Sequence, residues 1–274
     1  MILSFHPMII ADENRICAGR DPDDRELAAI RRASAVILPQ GCRRPLHDMA
    51  VRHCAHVFPD YSAKFAYPGK IGQAALFVHL GLPHPETETF ASVDAFYDGR
   101  RNTDNASYPL VFKFDWGGQG DTVMRIDSPD GLERALNKAK SYEKTGQFGF
   151  LIQDYIPSGN RSLRVAVIGR QRIAYWRIQQ NPDQFGTALS KGAEINEHAD
   201  PDKQTAGIAV VDLLCEKTGI NLAGVDLIFP ENPEKSGPLL LEINYFFGRT
   251  GLGGSGRFYS MLRREVKHWI NGLK

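Results

Sequence analysis

The chain has little cysteine, no long apolar run and almost no net charge, and each shortage removes a class of protein. Its four cysteines, Cys17, Cys42, Cys54 and Cys215, form no CxxC pair and are too sparse for a disulfide framework, so reduced thiols are expected. No stretch approaches the about 20 apolar residues that cross a bilayer. The N-terminus MILSFHPMIIADENR has no basic segment followed by a long apolar one. A cytoplasmic protein without a membrane partner is the expectation. Lys and Arg total 33 against 32 for Asp and Glu, a formal charge of +1, so no electrostatic footprint for nucleic acid is present. Two catalytic loops are also missing, the GxSxG nucleophile elbow and the GxxxxGK[ST] phosphate loop. What remains is an ordinary globular chain of 274 residues, able to bury its core as one large domain or as two or three small lobes.

One segment crowds soft metal ligands: Cys42, His47, His53, Cys54 and His56. Its spacing fits no standard zinc module, and on a helix His53 and His56 share a face from which Cys54 points away. Surface histidines and small core thiols are the expected reading.

Residues 1 to about 60 alternate short apolar runs with helical patterns. ILSF, AVILP and HVF read as strands, and DRELAAIRRAS and RRPLHDMAVRHCA as helices, which predicts a small parallel α/β lobe. GKIGQAALFVHLG has helical spacing with Gly81 as C-cap, and LPHPETETF runs on extended. From Tyr108, YPLVFKFD and DTVMRIDS form a predicted hairpin around WGGQG, followed by a helix from Ser128 and Pro129 to Gly146. GFLIQDYI, SLRVAVIG and RIAYWRIQ are predicted strands, the last two joined by a short turn. The polar stretch 180–204 reads as a mobile loop near the site. Helix TAGIAVVDLLCEKTG, strands GVDLIF and LLLEIN, and the amphipathic helix RFYSMLRREVKHWI complete the chain.

Several polar residues interrupt these apolar runs. If GVDLIF and LLLEIN are neighbouring strands, Glu242 and Asn244 share a face and Asp226 joins them from next door. Two carboxylates and an amide oxygen suit a hard cation such as magnesium, which keeps waters and takes a phosphate to complete its shell. Lys113, set among apolar strand residues, needs a negative partner, which a nucleotide phosphate supplies. The Gly117, Gly118, Gln119, Gly120 loop is either a plain turn or a lid whose N–H groups close over phosphates. Arg164 and Arg177, on successive strands, are either solvated edge residues or groups that neutralise a transferred phosphoryl.

In chain order, Lys70 ahead of GLPHPET, Lys113 in YPLVFKFDWGGQG, LIQDYI, SLRVAVIGRQRIAYWR, GVDLIF and LEIN resemble the ATP-grasp superfamily. The branch they are most similar to is that of glutathione synthetases and ribosomal-protein glutamate ligases, over about residues 68 to 250. The resemblance implies a mixed α/β and α+β ATP-grasp fold. A small N-terminal α/β lobe would span 1–67 and the ATP-grasp domain 68–274, with a central lobe about 82–155 and a C-terminal lobe about 156–274. It implies ATP held by Lys70 and Lys113, with adenine against Asp154, Tyr155 and Ile156 after Gln153. Arg164 and Arg177 would lie over the γ-phosphate and acyl intermediate, and Asp226, Glu242 and Asn244 would ligate two magnesium ions, manganese being the alternative. The implied reaction joins a small-molecule or peptide carboxylate to an amine or thiol through an acyl phosphate, releasing ADP and phosphate. Homodimers are common among similar proteins.

The chain departs from the family pattern in three respects, one of them a short front lobe, residues 1–67. Ala188 in FGTALSKG stands where an asparagine is usual, so that either Lys191 compensates or the loop is built differently, and Phe247 in YFFGRTGLGGSG stands where a proline is usual. The latter segment is expected to shape the acceptor pocket, with Arg249 or Arg257 binding a substrate carboxylate. Two rival functions stay open: a phosphotransferase that stops at a phosphorylated product, and a non-catalytic nucleotide-binding protein.

Overall fold

A computed structural model describes residues 1–17, 19–99, 107–118, 120–232 and 237–273. Gln119 of the glycine loop lies outside the described residues. The first sheet holds β1 (Ile2–Ser4), β2 (Glu13–Asn14), β3 (Ala35–Ile37) and β4 (Val57–Phe58), all parallel in the order β2-β1-β3-β4. Helices α1 (Asp24–Arg32) and α2 (Arg44–His53) connect these strands, as the alternating pattern predicts. A capping box starts α1: the Asp23 carboxylate accepts from Arg25 N–H at 2.8 Å, and Glu26 reaches back to Asp23 N–H at 2.9 Å. Cys42 and Cys54 are core thiols as expected. His47 departs from the surface reading, being buried against the Phe65 ring at 4.8 Å between centroids.

Two helices lead out of this sheet, α3 (Ser62–Ala66) and α4 (Gly69–Leu80), the second closed by Gly81 at φ 63°. The second sheet is antiparallel, β5-β8-β6-β7, built from β5 (Thr87–Phe90), β6 (Leu110–Phe114), β7 (Val123–Ile126) and β8 (Phe150–Asp154). Helices α5 (Val93–Gly99) and α6 (Pro129–Glu143) cover one face. There Phe90, Phe96, Phe112 and Phe150 pack with Leu132 and Leu136, the Phe112 and Phe150 rings stacking at 4.7 Å. Ser128 caps α6 as read from sequence, but the helix ends at Glu143 and its last turn unwinds before Gly146.

The third sheet, β11-β10-β9-β12-β13, is antiparallel throughout. Its strands are β9 (Arg161–Ile168), β10 (Gln171–Ile178), β11 (Glu194–Asn196), β12 (Leu222–Ile228) and β13 (Leu239–Asn244). Strand alternation divides β9: Leu163, Val165 and Val167 pack with Val211 and Leu214 of α7 (Pro201–Thr218). Ala166 and Ile168 turn to the other face, under Phe258, Leu262 and Val266 of α8 (Gly254–Asn271). Arg164 and Ser162 continue that second face into an open cleft.

The stretch 180–204 is more structured than its polarity suggests. It holds a 3₁₀ turn at Leu189–Lys191, strand β11 and the first turn of α7. Strand β11 has three residues and no apolar period of its own, so only its pairing with β10 defines it.

Gly72, inside α4, faces the chain that enters the helix: a Cβ there would stand 2.8 Å from the Tyr67 carbonyl oxygen and closer still to its carbon. Gly→Ala within a helix ordinarily gains up to about 1 kcal/mol. Here Gly72→Ala is expected to lose about 1–3 kcal/mol, the usual cost of overpacking, read as a lower urea midpoint at unchanged slope.

Candidate functional site

A cleft of about 650 Å³ opens between the second and third sheets. Six basic side chains line it among the described residues, Lys70, Lys113, Arg161, Arg164, Arg177 and Lys191, against three acidic ones, Asp154, Asp226 and Glu242. That excess of positive charge suits a polyanion. Val111, Val123, Ile156, Ile228 and Leu241 add apolar walls for a planar group.

Register brings the acidic end together. Strand β12 lies between β9 and β13, so Asp226 opposes Arg164 on one side and Glu242 on the other. Both Asp226 oxygens are engaged: Arg164 Nε donates to one and Arg164 Nη2 to the other at 2.8 Å, while Arg177 Nη2 lies 2.8 Å from the first. Asn244 Nδ2 also donates to Asp226, at 3.2 Å. Burial by itself would raise the Asp226 pKa, but Arg164 and then Arg177 overcome it and hold the carboxyl below its ordinary value. Gly224 makes room for this cluster, since a Cβ there would stand 2.8 Å from Arg164 Nη1.

Glu242 is in the opposite condition. Burial, then the Asp226 charge, pushes its pKa up, and no hydrogen bond or ion pair engages its carboxylate among the described residues. A bulge sets its direction: Asp226 pairs with Glu242 but Leu227 pairs with Leu240, so Leu241 is an extra residue. Simple alternation would have put Leu240 on the same face as Glu242. Instead Leu240 is a core residue and Leu241 faces the cleft beside Glu242.

The basic wall is built from β6 and α4. Lys113 is buried and donates to Gln153 Oε1 at 2.6 Å, while Gln153 Nε2 donates to Thr87 Oγ1 at 2.8 Å. Burial draws the Lys113 pKa down to about 8, Lys70 adding to the effect and Glu242 opposing it. Lys70 Nζ donates to the carbonyls of Trp116 and Gly117 at 3.1 and 3.2 Å, which ties α4 to the glycine loop. In that loop Gly117 and Gly120 have φ of 84° and 75°, a region that favours glycine.

Opposite the glycine loop, Lys191 Nζ donates to Gly120 O at 2.8 Å, so it links two loops across the cleft. Asp154, Tyr155 and Ile156 line the cleft where β8 ends. None of the turn, loop or cap hydrogen bonds among the described residues uses the backbone of Tyr155 or Ile156.

The sequence candidates therefore separate. Lys70, Lys113, Gly118, Gly120, Gln153, Asp154, Tyr155, Ile156, Arg164, Arg177, Lys191, Asp226, Glu242 and Asn244 all line one cleft. Gly117, Arg249 and Arg257 do not. Arg249 stacks on Phe258 and Tyr259 and donates to Gln40 Oε1 at 3.2 Å, and Arg257 is exposed on α8. The glycine-rich segment expected to shape the acceptor pocket instead lays Arg249 over two rings of α8, with Gln40, in the loop after β3, as its partner.

Sequence reading passed over Arg161, Ser162, Tyr175 and Thr187, which also line the cleft. Arg161 precedes the apolar run and reads as a turn residue. Ser162 carried a signal, lying two residues from Arg164 on the same strand face.

The donor set admits a hard cation under one condition. Asp226, Glu242 and the Asn244 amide supply oxygen, the right chemistry for magnesium. Asp226 is shared with two arginines, so a cation is accommodated when an anion takes those guanidiniums away. Among the described residues no cluster of three or more His, Cys, Asp or Glu side chains forms a self-sufficient metal cage.

Residues 75–255 match the family model described as the RimK-like ATP-grasp domain. A probable alpha-L-glutamate ligase of Azotobacter vinelandii is 27% identical over 170 residues, 59% of this chain and 52% of that protein. Probable alpha-L-glutamate ligase 1 of Shewanella frigidimarina is 30% identical over 169 residues, 58% of this chain and 52% of its own length. The chain thus spans about half the length of the curated relatives it matches. Among solved structures, a RimK domain ATP-grasp protein from Sphaerobacter thermophilus superposes with a TM-score of 0.64 at 16% identity, covering 96% of this chain and 98% of the other. An L-amino acid ligase from Bacillus licheniformis gives 0.64 at 15% identity, covering 100% and 69%. At these identities the structural likeness is one of fold. With the family model spanning most of the chain, from within α4 to the start of α8, the protein belongs to the RimK-like ATP-grasp family.

Proposed function

We propose that the protein uses ATP to join a carboxylate to an amine. The observation that carries this reading is the register of β12, which sets Asp226 and Glu242 side by side at the end of a cation-rich cleft. A triphosphate fits along Lys70, Lys113 and the glycine loop, with the base between the apolar walls near Tyr155 and Ile156. Asp226, Glu242 and Asn244 would hold magnesium, which supplies charge neutralisation and Lewis acidity at the phosphates. The lobe division at about residue 67 belongs to the same proposal.

The chemistry needs positioning and charge stabilisation, not an enzymic nucleophile. A substrate carboxylate oxygen attacks the γ-phosphorus, ADP leaves, and an acyl phosphate forms. The amine then attacks the carbonyl carbon, the C–O bond to phosphate breaks, and the nitrogen loses a proton. Arg164 and Arg177, released from Asp226 by the incoming nucleotide, stabilise the charge on the transferred phosphoryl. Among the described residues, Arg177 Nε is buried without a hydrogen-bond partner, a donor already in place for such a charge. Because the curated relatives are named alpha-L-glutamate ligases, L-glutamate is the first amine to test.

Three outcomes are expected. A screen of carboxylate and amine pairs should show ADP release that requires both, and hydroxylamine should trap an acyl hydroxamate; ADP release with a stable phosphorylated product would favour a phosphotransferase instead. Glu242→Ala should reduce ADP release by about 100-fold or more, in the range for loss of a group that stabilises transition-state charge, while circular dichroism stays unchanged.

Lys113 yields a pH signature. Its folded pKa of about 8 lies below the ordinary 10.5, so the folded state binds fewer protons between these values. Its penalty on stability is full below pH 8 and fades as pH rises toward 10.5. Affinity runs the other way, and ADP binding should weaken as pH rises from 7 to 9. Lys113→Met should raise the melting temperature at pH 7 and lose nucleotide binding, which calorimetry and a thermal melt decide together.

A further inference from the structure

Helix α4 touches both walls of the cleft through side chains three residues apart. Its first turn is gripped by Asp115, the residue after β6: Ile71 N–H donates to Asp115 Oδ1 at 2.7 Å and Lys70 N–H to the Asp115 carbonyl at 3.3 Å. Lys70, on the same helix, holds the glycine loop. One turn further on, Gln73 makes a two-point contact with the main chain of Ile243, its Nε2 donating to Ile243 O at 2.9 Å and its Oε1 accepting from Ile243 N at 2.8 Å.

Ile243 is the residue between Glu242 and Asn244. Among the described residues β13 is the last strand of its sheet, so the outward N–H and C=O of Ile243 face no neighbouring strand. The Gln73 amide takes the place of that strand, and Pro83 O, just beyond α4, accepts from Leu240 N at 2.8 Å further down the same edge. An ordinary edge needs no such substitute, because water satisfies it. Here the clamp falls on the residue of β13 whose two neighbours line the cleft, two positions beyond the bulge at Leu241, where the ladder is interrupted.

We propose that Gln73 is a positioning residue for the metal side of the site: its amide fixes the β13 main chain at Ile243 and thereby the aim of Glu242 and Asn244 toward the phosphates. Through Lys70 and Gln73, α4 sets the separation between the glycine loop and the ion-binding edge. The inference rests on the reading of Glu242 and Asn244 as the groups that hold the cation.

The test uses Gln73→Met, which keeps the length of the side chain and removes both hydrogen bonds. ADP binding is followed by calorimetry in EDTA and across a magnesium titration, with Mn²⁺ binding followed by electron paramagnetic resonance. The magnesium concentration for half-maximal ADP binding should rise about tenfold, the lower end for losing a group that orients a ligand, with ADP affinity in EDTA changing less than about twofold. A magnesium titration like that of the wild type, or an equal loss in EDTA, overturns the proposal. Gln73→Asn, with both amide groups one methylene short, runs alongside in case the methionine variant fails to fold, and the same shift supports the proposal while the same two results overturn it. Glu242→Gln separates the two levels. If its magnesium dependence is unchanged, the ligand reading fails and the positioning role with it; if it is lost while Gln73→Met behaves as wild type, only the positioning role fails.

Discussion

Asp226 lies at the centre of the structure's most demanding arrangement, a buried carboxylate shared by Arg164, Arg177 and Asn244. Buried charges are tolerated only when each has a partner, and breaking such a set by removing one member costs on the order of 3–5 kcal/mol. The pairing of β12 with both β9 and β13 therefore fixes more than a sheet. A slip of one residue on either side would leave a guanidinium or a carboxylate facing hydrocarbon. The apolar half of the same register, with Val225 and Leu227 against α7, holds that alignment from the other face.

The consequence is a site that neutralises itself and still carries surplus positive charge. Asp226 serves as an internal counter-ion for two arginines, while Glu242 has no ion-pair partner among the described residues and Lys113 keeps a proton held against burial. On the proposed reading, a polyanion arriving with a cation would relieve each of these three conditions. Affinity for the two would then be coupled through the same side chains. The loops at the mouth join through a lysine contact, Lys191 to Gly120.

Much of this was legible from spacing. The apolar runs of β6, β8, β9, β10, β12 and β13 were long enough to read as strands, and polar residues that interrupt such runs stood out against them. The capping residues of α4 and α6 did the same for helices. The misses share a cause. Strands β2 and β11 and helices α3 and α5 are short, with too few apolar positions to show a period, and they exist because a neighbour pairs with them or covers them. Arg249 and Arg257 lie outside the cleft, and glycine-rich sequence carries no information on which way an arginine goes.

The order of elements and the identity of the groups that meet in the cleft are local properties, set by hydrophobic period and by the energetic oddity of a charge inside a strand. How those groups meet is not local. The extra residue at Leu241, the two guanidiniums on one carboxylate and the Gln73 clamp on Ile243 join residues up to 170 positions apart. Only a folded chain brings them within hydrogen-bonding distance, because register and helix placement are decided by the packing of whole faces and not by any single segment.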